Sequence, residues 1–200
     1  MKHVAISGSD GAGKSYLIAK VSANFTAILW CRHPQYLSGP FNLIMKYFGK
    51  NYRVSPTKEI IIGYHDYQNI VLALIYFILR SIDIYLYFSF KLLFVNLLNK
   101  RVLYDRFILD SIADMCVDIK RNNNLIFAFF MPLVLASRLR VKSIIIQRGS
   151  SVEKREDVLL DENAEYRESV YLNLINFFNC DIYLNEKWKS DDAFENTINS

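Results

Sequence analysis

The sequence predicts an α/β domain: a parallel sheet with helices on both faces. Three observations lead there. Short β-branched runs recur along the chain, helical tracts separate them, and a glycine-rich loop joins the first run to the first helix. Composition agrees. Hydrophobic residues make up 52% of the 200 and charged ones 22%, which excludes a disordered chain. A chain of this size can bury roughly 70% of its unfolded surface and needs no covalent staple. With no internal repeat and no low-complexity linker, residues 1–200 read as a single domain.

The elements follow in order. His3 to Ser7 is an apolar run, then comes the loop Gly8 to Ser15, then a helix-periodic stretch from Tyr16 to Ser22. Thr26 to Trp30 is a second strand. Pro34, Gly39, Pro40, Gly49 and Pro56 punctuate the next region, which reads as loop with a short helix near Leu43 to Phe48. A long apolar helical tract spans residues 69–98. Arg101 to Asp105 is a third strand, and Ser111 to Arg121 a helix that the three asparagines 122–124 end. Leu125 to Leu139 is helical, with Pro132 expected to kink it or start a new segment. Ser143 to Ile146 is a fourth strand, and residues 148–163 form a polar stretch. Ala164 to Asn179 is helical, Asp181 to Leu184 a last strand, and Asp191 to Ile198 a last helix.

Charge and cysteine usage narrow the function. A net charge of +4 suits an anionic substrate but falls short of a dedicated nucleic-acid binder. Cys31, Cys116 and Cys180 are too few and too scattered for a disulfide framework, and no CxxC pair suggests zinc. No signal peptide is read at the start of the chain, and a reducing, cytoplasmic setting is expected. The tract 69–98 is the one membrane candidate. Arg80, Asp83 and Lys91 interrupt it, so core or interface packing is expected instead of a membrane contact. On a helical wheel Asn69, Tyr76, Arg80, Asp83, Tyr87 and Lys91 share one narrow stripe. That stripe faces either solvent or a bound acceptor. The apolar faces should pack on the sheet and against a second copy of the chain.

Gly8-Ser9-Asp10-Gly11-Ala12-Gly13-Lys14-Ser15 matches GxxxxGK[ST] in full, with a strand before it and a helix after it. Glycines let the backbone curl so that successive N–H groups point into one concavity, and the helix N-terminus adds positive potential. Gly8, Gly11, Ala12, Gly13, Lys14 and Ser15 are therefore expected to hold the polyphosphate of a nucleoside triphosphate. Lys14 would reach its outer phosphates and Ser15 a Mg²⁺ ion. No NKxD-type guanine reader is present. Asp105 and Arg106 close the third strand, and ligands in open α/β sheets sit beyond strand carboxyl ends. Asp105 there could hold the metal and Arg106 an anionic acceptor. A plain ion pair at a strand end is the other reading.

With these motifs the chain resembles the thymidylate kinase family of nucleoside monophosphate kinases. The resemblance rests on SDGAGKS at Ser9 to Ser15, YDRFILDS at Tyr104 to Ser111, CRHP at Cys31 to Pro34 and EYRESVYLNL at Glu165 to Leu174. It implies a P-loop NTPase fold of three α/β/α layers, with a five-stranded parallel sheet and a lid over residues 148–163. It also implies transfer of a phosphoryl group from ATP, with Mg²⁺, to a nucleoside monophosphate, and a homodimer through the apolar helices 69–98. Carried over by residue, Asp10 would lie near the acceptor's sugar, Arg32 and Arg106 at its phosphate, and Arg80 on the helix facing it. Family members usually carry an acidic residue and a glycine pair where this chain has Arg32-His33-Pro34-Gln35-Tyr36. A different small phosphate or hydroxyl acceptor therefore stays open, as does a non-catalytic nucleotide-binding module.

Phosphoryl transfer spreads charge over the transferred oxygens, and cations must meet it. The variable loop positions Ser9 to Ala12 hold no arginine, so a further cation is expected from the lid. Arg155 is the first choice, with Arg148 and Lys154 behind it. A solvated helix end is the alternative for each.

Overall fold

The computed structural model describes residues 3–31, 35–48, 67, 69–95, 100–149, 164–185, 194, 197 and 198. Five strands form one parallel sheet: β1 (His3–Gly8), β2 (Ala27–Trp30), β3 (Val102–Asp105), β4 (Lys142–Arg148) and β5 (Asp181–Asn185). Their order is β2-β3-β1-β4-β5. Among the described residues, six α-helices of eight residues or more accompany them: α1 (Lys14–Val21), α2 (Ser38–Tyr47), α3 (Ile70–Val95), α4 (Ile108–Ile119), α5 (Asn124–Arg138) and α6 (Ala164–Phe178).

The central strand β1 is buried along its whole length, as expected of a parallel strand covered on both faces. Its residues alternate between two cores. Val4 and Ile6 join Leu103, Ile144 and Ile146 against Leu17, Ile18 and Val21 of α1. Ala5 points the other way, with Tyr104 and Ile145, into the larger core built by α3 to α6. The chain runs from β1 to β2, returns through β3 to lie beside β1, then crosses to β4 and β5. All strand carboxyl ends therefore share one edge, and the turns after β1 and β3 meet there.

Three helices differ from expectation, each for a tertiary reason. α2 starts at Ser38, not Leu43, because Asp83 of α3 caps it. Asp83 Oδ1 accepts the Leu37 N–H at 2.9 Å, while Oδ2 accepts the Ser38 N–H at 2.9 Å and its hydroxyl at 2.7 Å. Pro40 then falls in the first turn, where no N–H is missed. α4 starts three residues early because Asp110 accepts the Phe107 N–H at 2.9 Å. α5 runs unbroken through Pro132. Pro132 and Ala128 both lie on its exposed face, so water can satisfy the Ala128 carbonyl that loses its donor.

α3 is 26 residues long and carries its polarity inward. Tyr76, Arg80 and Asp83 are all but fully buried, and Tyr87 and Lys91 are half-buried. Its outward face is apolar. By length and composition Ile70–Phe94, with mean hydropathy 1.9, could cross a membrane. Its polar residues, however, are bonded into this domain: Asp83 to α2, and Tyr76 through a 2.7 Å hydrogen bond to Asp118 of α4. The expected last helix and most of the expected lid lie outside the described residues. Phe194 and Ile198 pack in the α1-side core, and of the expected lid only Arg148, which ends β4, and Gly149 are described.

Candidate active site

The glycine-rich loop leaves β1 at Gly8. Its backbone cannot carry a side chain there, since a Cβ would stand 2.4 Å from the Ile146 carbonyl oxygen of the neighbouring strand. Gly8, Gly11 and Gly13 all adopt positive φ, at 147°, 77° and 87°, and glycine alone does so without strain. No side chain caps α1, which starts at Lys14. The first-turn N–H groups are thus free of side-chain capping at the end of a helix where anions bind.

Lys14 is buried. Its ammonium donates to the carbonyls of Gly8 and Ser9, each at 2.7 Å, and lies 3.9 Å from Asp10 Oδ1. Burial lowers its pKa, only partly offset by the charges of Asp110, Asp10 and Asp105. Its hydrogen bonds go to neutral carbonyls of the loop and Asp10 stands farther off at 3.9 Å, so an arriving polyphosphate gives it a closer anionic partner. Ser15 beside it is exposed.

Beyond β3 the chain turns sharply at Arg106, which adopts φ 67°. Such a conformation is costly for a residue with a Cβ and concentrates at functional sites. The turn aims the guanidinium back at the loop, where Nη2 donates to Asp10 Oδ1 at 2.8 Å. A quarter of the Arg106 side chain stays exposed. Desolvation would lower its pKa, but Asp110, Asp114 and Asp10 hold it above its ordinary range. Asp105, half-buried, has its carboxyl pKa raised, first by burial and then by Asp110, against the opposing charges of Arg106 and Lys14.

Sequence reasoning brought Asp10, Lys14, Ser15, Asp105 and Arg106 to the loop and the β3 turn, and the structure places them there. Arg80 lies deep on α3, all but fully buried. Its Nη1 donates to the Ser38 hydroxyl at 3.5 Å and its charge helps depress the Asp114 pKa. Arg148 is mostly buried and bonded to Glu168 of α6 at 2.6 Å. Arg32, Lys154 and Arg155 lie outside the described residues.

The supporting shell was missed. α4 presents one carboxylate per turn on its inner face: Asp110, Asp114 and Asp118. Asp110 accepts from the Gly8 N–H at 3.4 Å and the Tyr171 hydroxyl at 2.7 Å, besides capping its own helix. Asp114 pairs with buried Arg167 of α6. Desolvation alone would raise the Asp114 pKa, but Arg167 and Arg106 hold it below the ordinary carboxylate value. Asp110 lies inside YDRFILDS, and Arg167 and Tyr171 inside EYRESVYLNL. The i, i+4, i+8 spacing of the three aspartates was the available signal.

For magnesium, the fit rests on donor chemistry. Mg²⁺ prefers oxygen ligands, commonly one or two carboxylates completed by substrate phosphates and water. An exposed Ser15 hydroxyl at the loop's end and the Asp105 carboxylate match that set. Among the described residues, no cluster of three or more His, Cys, Asp or Glu side chains could hold a metal.

The chain aligns with solved structures. A deoxyadenosine kinase from M. mycoides with bound dATP aligns with a TM-score of 0.52 at 18% identity, covering 99% of this chain and 100% of that one. The fold is that of the P-loop kinases. A second structure of that enzyme, with bound dCTP, aligns at TM-score 0.43 and 15% identity over 98% of this chain and 97% of that one. Thymidylate kinase from Candida albicans aligns at TM-score 0.47 and 14% identity over 99% of this chain and 89% of that one. No family model and no curated protein matches the sequence.

Proposed function

We propose that the protein transfers the terminal phosphoryl group of ATP to a nucleoside monophosphate. One observation carries this reading: an uncapped glycine-rich loop with a buried lysine faces a strained Asp105–Arg106 turn at the same sheet edge. Gly8, Gly11, Ala12, Gly13, Lys14 and Ser15 cradle the donor polyphosphate. Lys14 leaves the loop carbonyls for its outer oxygens. Arg106, oriented by Asp10, meets the acceptor phosphate through the exposed part of its fork. Arg32 and Arg155 supply further cations, one for the acceptor and one for the transferred group. Arg80 acts from behind, holding the α2–α3 wall of the acceptor side. Ser15 and Asp105 would hold Mg²⁺, which supplies charge neutralisation to the transferred phosphoryl group when bound. A cytoplasmic setting suits this chemistry.

A second reading is a nucleoside acceptor. Its motivating observation is the raised pKa of Asp105, since a hydroxyl acceptor needs a base and a phosphate acceptor does not. The likeness to a deoxyadenosine kinase fold points the same way. A panel of deoxynucleosides and deoxynucleoside monophosphates incubated with γ-labelled ATP and magnesium separates the two. Labelled diphosphates support the first reading and labelled monophosphates the second. No product with any acceptor would sink both and leave a binding module.

The outward face of α3 is proposed as a homodimer contact. Ile70, Leu74, Ile78, Leu86, Phe90 and Leu93 are among its exposed residues. A contiguous exposed apolar face of this kind marks a surface that a partner covers.

A further inference from the structure

We infer that Asn185 is a positioning residue that aims the Gly13 N–H at the donor's phosphates. The inference rests on the kinase reading of the loop. Asn185 ends β5, the outermost strand beside β4, and its amide donates to the Ala12 carbonyl at 2.9 Å across 173 positions of sequence. The Ala12 carbonyl and the Gly13 N–H belong to one peptide group. A trans peptide is planar, with its C=O and N–H pointing in opposite directions, and no cis peptide is present among the described residues. Pinning the carbonyl toward β5 therefore turns the Gly13 N–H away from it, toward the anion-binding side of the loop.

The space beside Gly13 agrees with this placement of the amide. A Cβ on Gly13 would stand 2.2 Å from Asn185 Nδ2 and 3.5 Å from its Cγ. The last loop glycine thus satisfies two demands: its positive φ and the space that Asn185 occupies. The tether also has something to resist. A loop with three glycines at positive φ has little intrinsic preference between one peptide orientation and its flipped counterpart, and a flip would present a carbonyl oxygen to the phosphates. The Asn185 carbonyl in turn accepts the Gly149 N–H at 2.7 Å. The same residue thus anchors the start of the lid region.

The test is steady-state kinetics and calorimetry with Mg-ATP on wild type, Asn185→Ala and Asn185→Asp, with thermal melts alongside. Asn185→Ala should raise the ATP KM and Kd about five- to tenfold, the worth of one hydrogen bond. The acceptor KM and melting temperature should stay near wild type. Asn185→Asp keeps the shape but sets a carboxylate against the Ala12 carbonyl, so its loss should be larger. Asn185→Ser, which retains a shorter donor, should fall between wild type and alanine. Unchanged ATP affinity in both main variants overturns the inference. So does a joint rise of donor and acceptor KM with a drop in melting temperature, which marks a fold tether. If wild type itself gives no heat with Mg-ATP, the kinase reading fails and this inference with it. If wild type binds and the variants bind equally, this inference alone fails.

Discussion

Asp110→Asn is the most informative single change, because one carboxylate serves three donors from three elements. It accepts from the Phe107 N–H at 2.9 Å, the Tyr171 hydroxyl at 2.7 Å and the Gly8 N–H at 3.4 Å. An amide keeps one oxygen and turns an NH₂ toward a donor. At least one buried donor then loses its acceptor, and the surviving bonds are no longer charge-assisted. Hydrogen bonds to charged groups contribute about 1.5–3 kcal/mol and a stranded buried donor costs about 1–3 kcal/mol, so a loss of about 2–4 kcal/mol is expected. For a domain of this size that corresponds to a melting temperature lower by roughly 5–15 °C. Tyr171→Phe removes one donor and should cost only about 1–2 kcal/mol. Urea unfolding of both single variants and the double variant closes the cycle. Because Tyr171 loses its charged partner in Asp110→Asn, the two should couple by about 1 kcal/mol or more. An Asp110→Asn variant within about 0.5 kcal/mol of wild type, or additive single costs, would refute the network.

Three further outcomes are expected. Lys14→Ala should abolish phosphoryl transfer while the circular dichroism spectrum is kept, and retained turnover would contradict the site. Asp105 has a raised pKa, so it binds its proton more tightly in the folded chain than in the unfolded one. Its ionised form therefore opposes stability above that pKa and serves activity there. Asp105→Asn should lose activity yet unfold no more easily at neutral pH, and wild-type kcat should fall on acidification through a value above the ordinary 3.8. A variant that is active and less stable would reverse that assignment. Paired Ile78→Glu and Leu86→Glu changes on the exposed face of α3 should halve the mass seen by light scattering without changing helix content. A wild-type mass of one chain at micromolar concentration would end the dimer proposal.

What was legible in the sequence was local. The loop from Gly8 to Ser15, its flanking strand and helix, and the Asp105–Arg106 turn are each determined within a few residues, and each stands where the motif put it. The start of α2 was not legible, because its cap is supplied by Asp83, 45 positions away in sequence from the Ser38 it caps. Asn185 was equally hidden: nothing near it marks a residue whose partner is Ala12. No new segment starts at Pro132, because Ala128 and Pro132 lie on the exposed face of α5, and which face water reaches is a tertiary property that local propensity does not carry.

α3 shows the limit most clearly. Periodicity correctly sorted Tyr76, Arg80 and Asp83 onto one stripe, but periodicity reports phase and not which side is inward. The usual choice would put the apolar majority inside. Here the interior already offers polar partners: the open N-terminus of α2 and the carboxylates of α4. Charges that find such partners can be buried, whereas leaving those partners unpaired would cost more than exposing leucines and isoleucines. The helix therefore turns the buried part of its stripe, Tyr76, Arg80 and Asp83, inward beside the core residues Ala73, Ile84, Phe88 and Leu92, and leaves its remaining apolar residues outward. That orientation makes a specific demand. Replacing outward Ile78 or Leu86 by a polar residue should leave the monomer fold unharmed, while replacing inward Asp83 by alanine should free the Ser38 end of α2 and destabilise it by about 2 kcal/mol or more, the worth of its charge-assisted caps. If hydrogen exchange found α2 equally protected in wild type and Asp83→Ala, the interior stripe would be incidental, and the inward turn of α3 would need another cause.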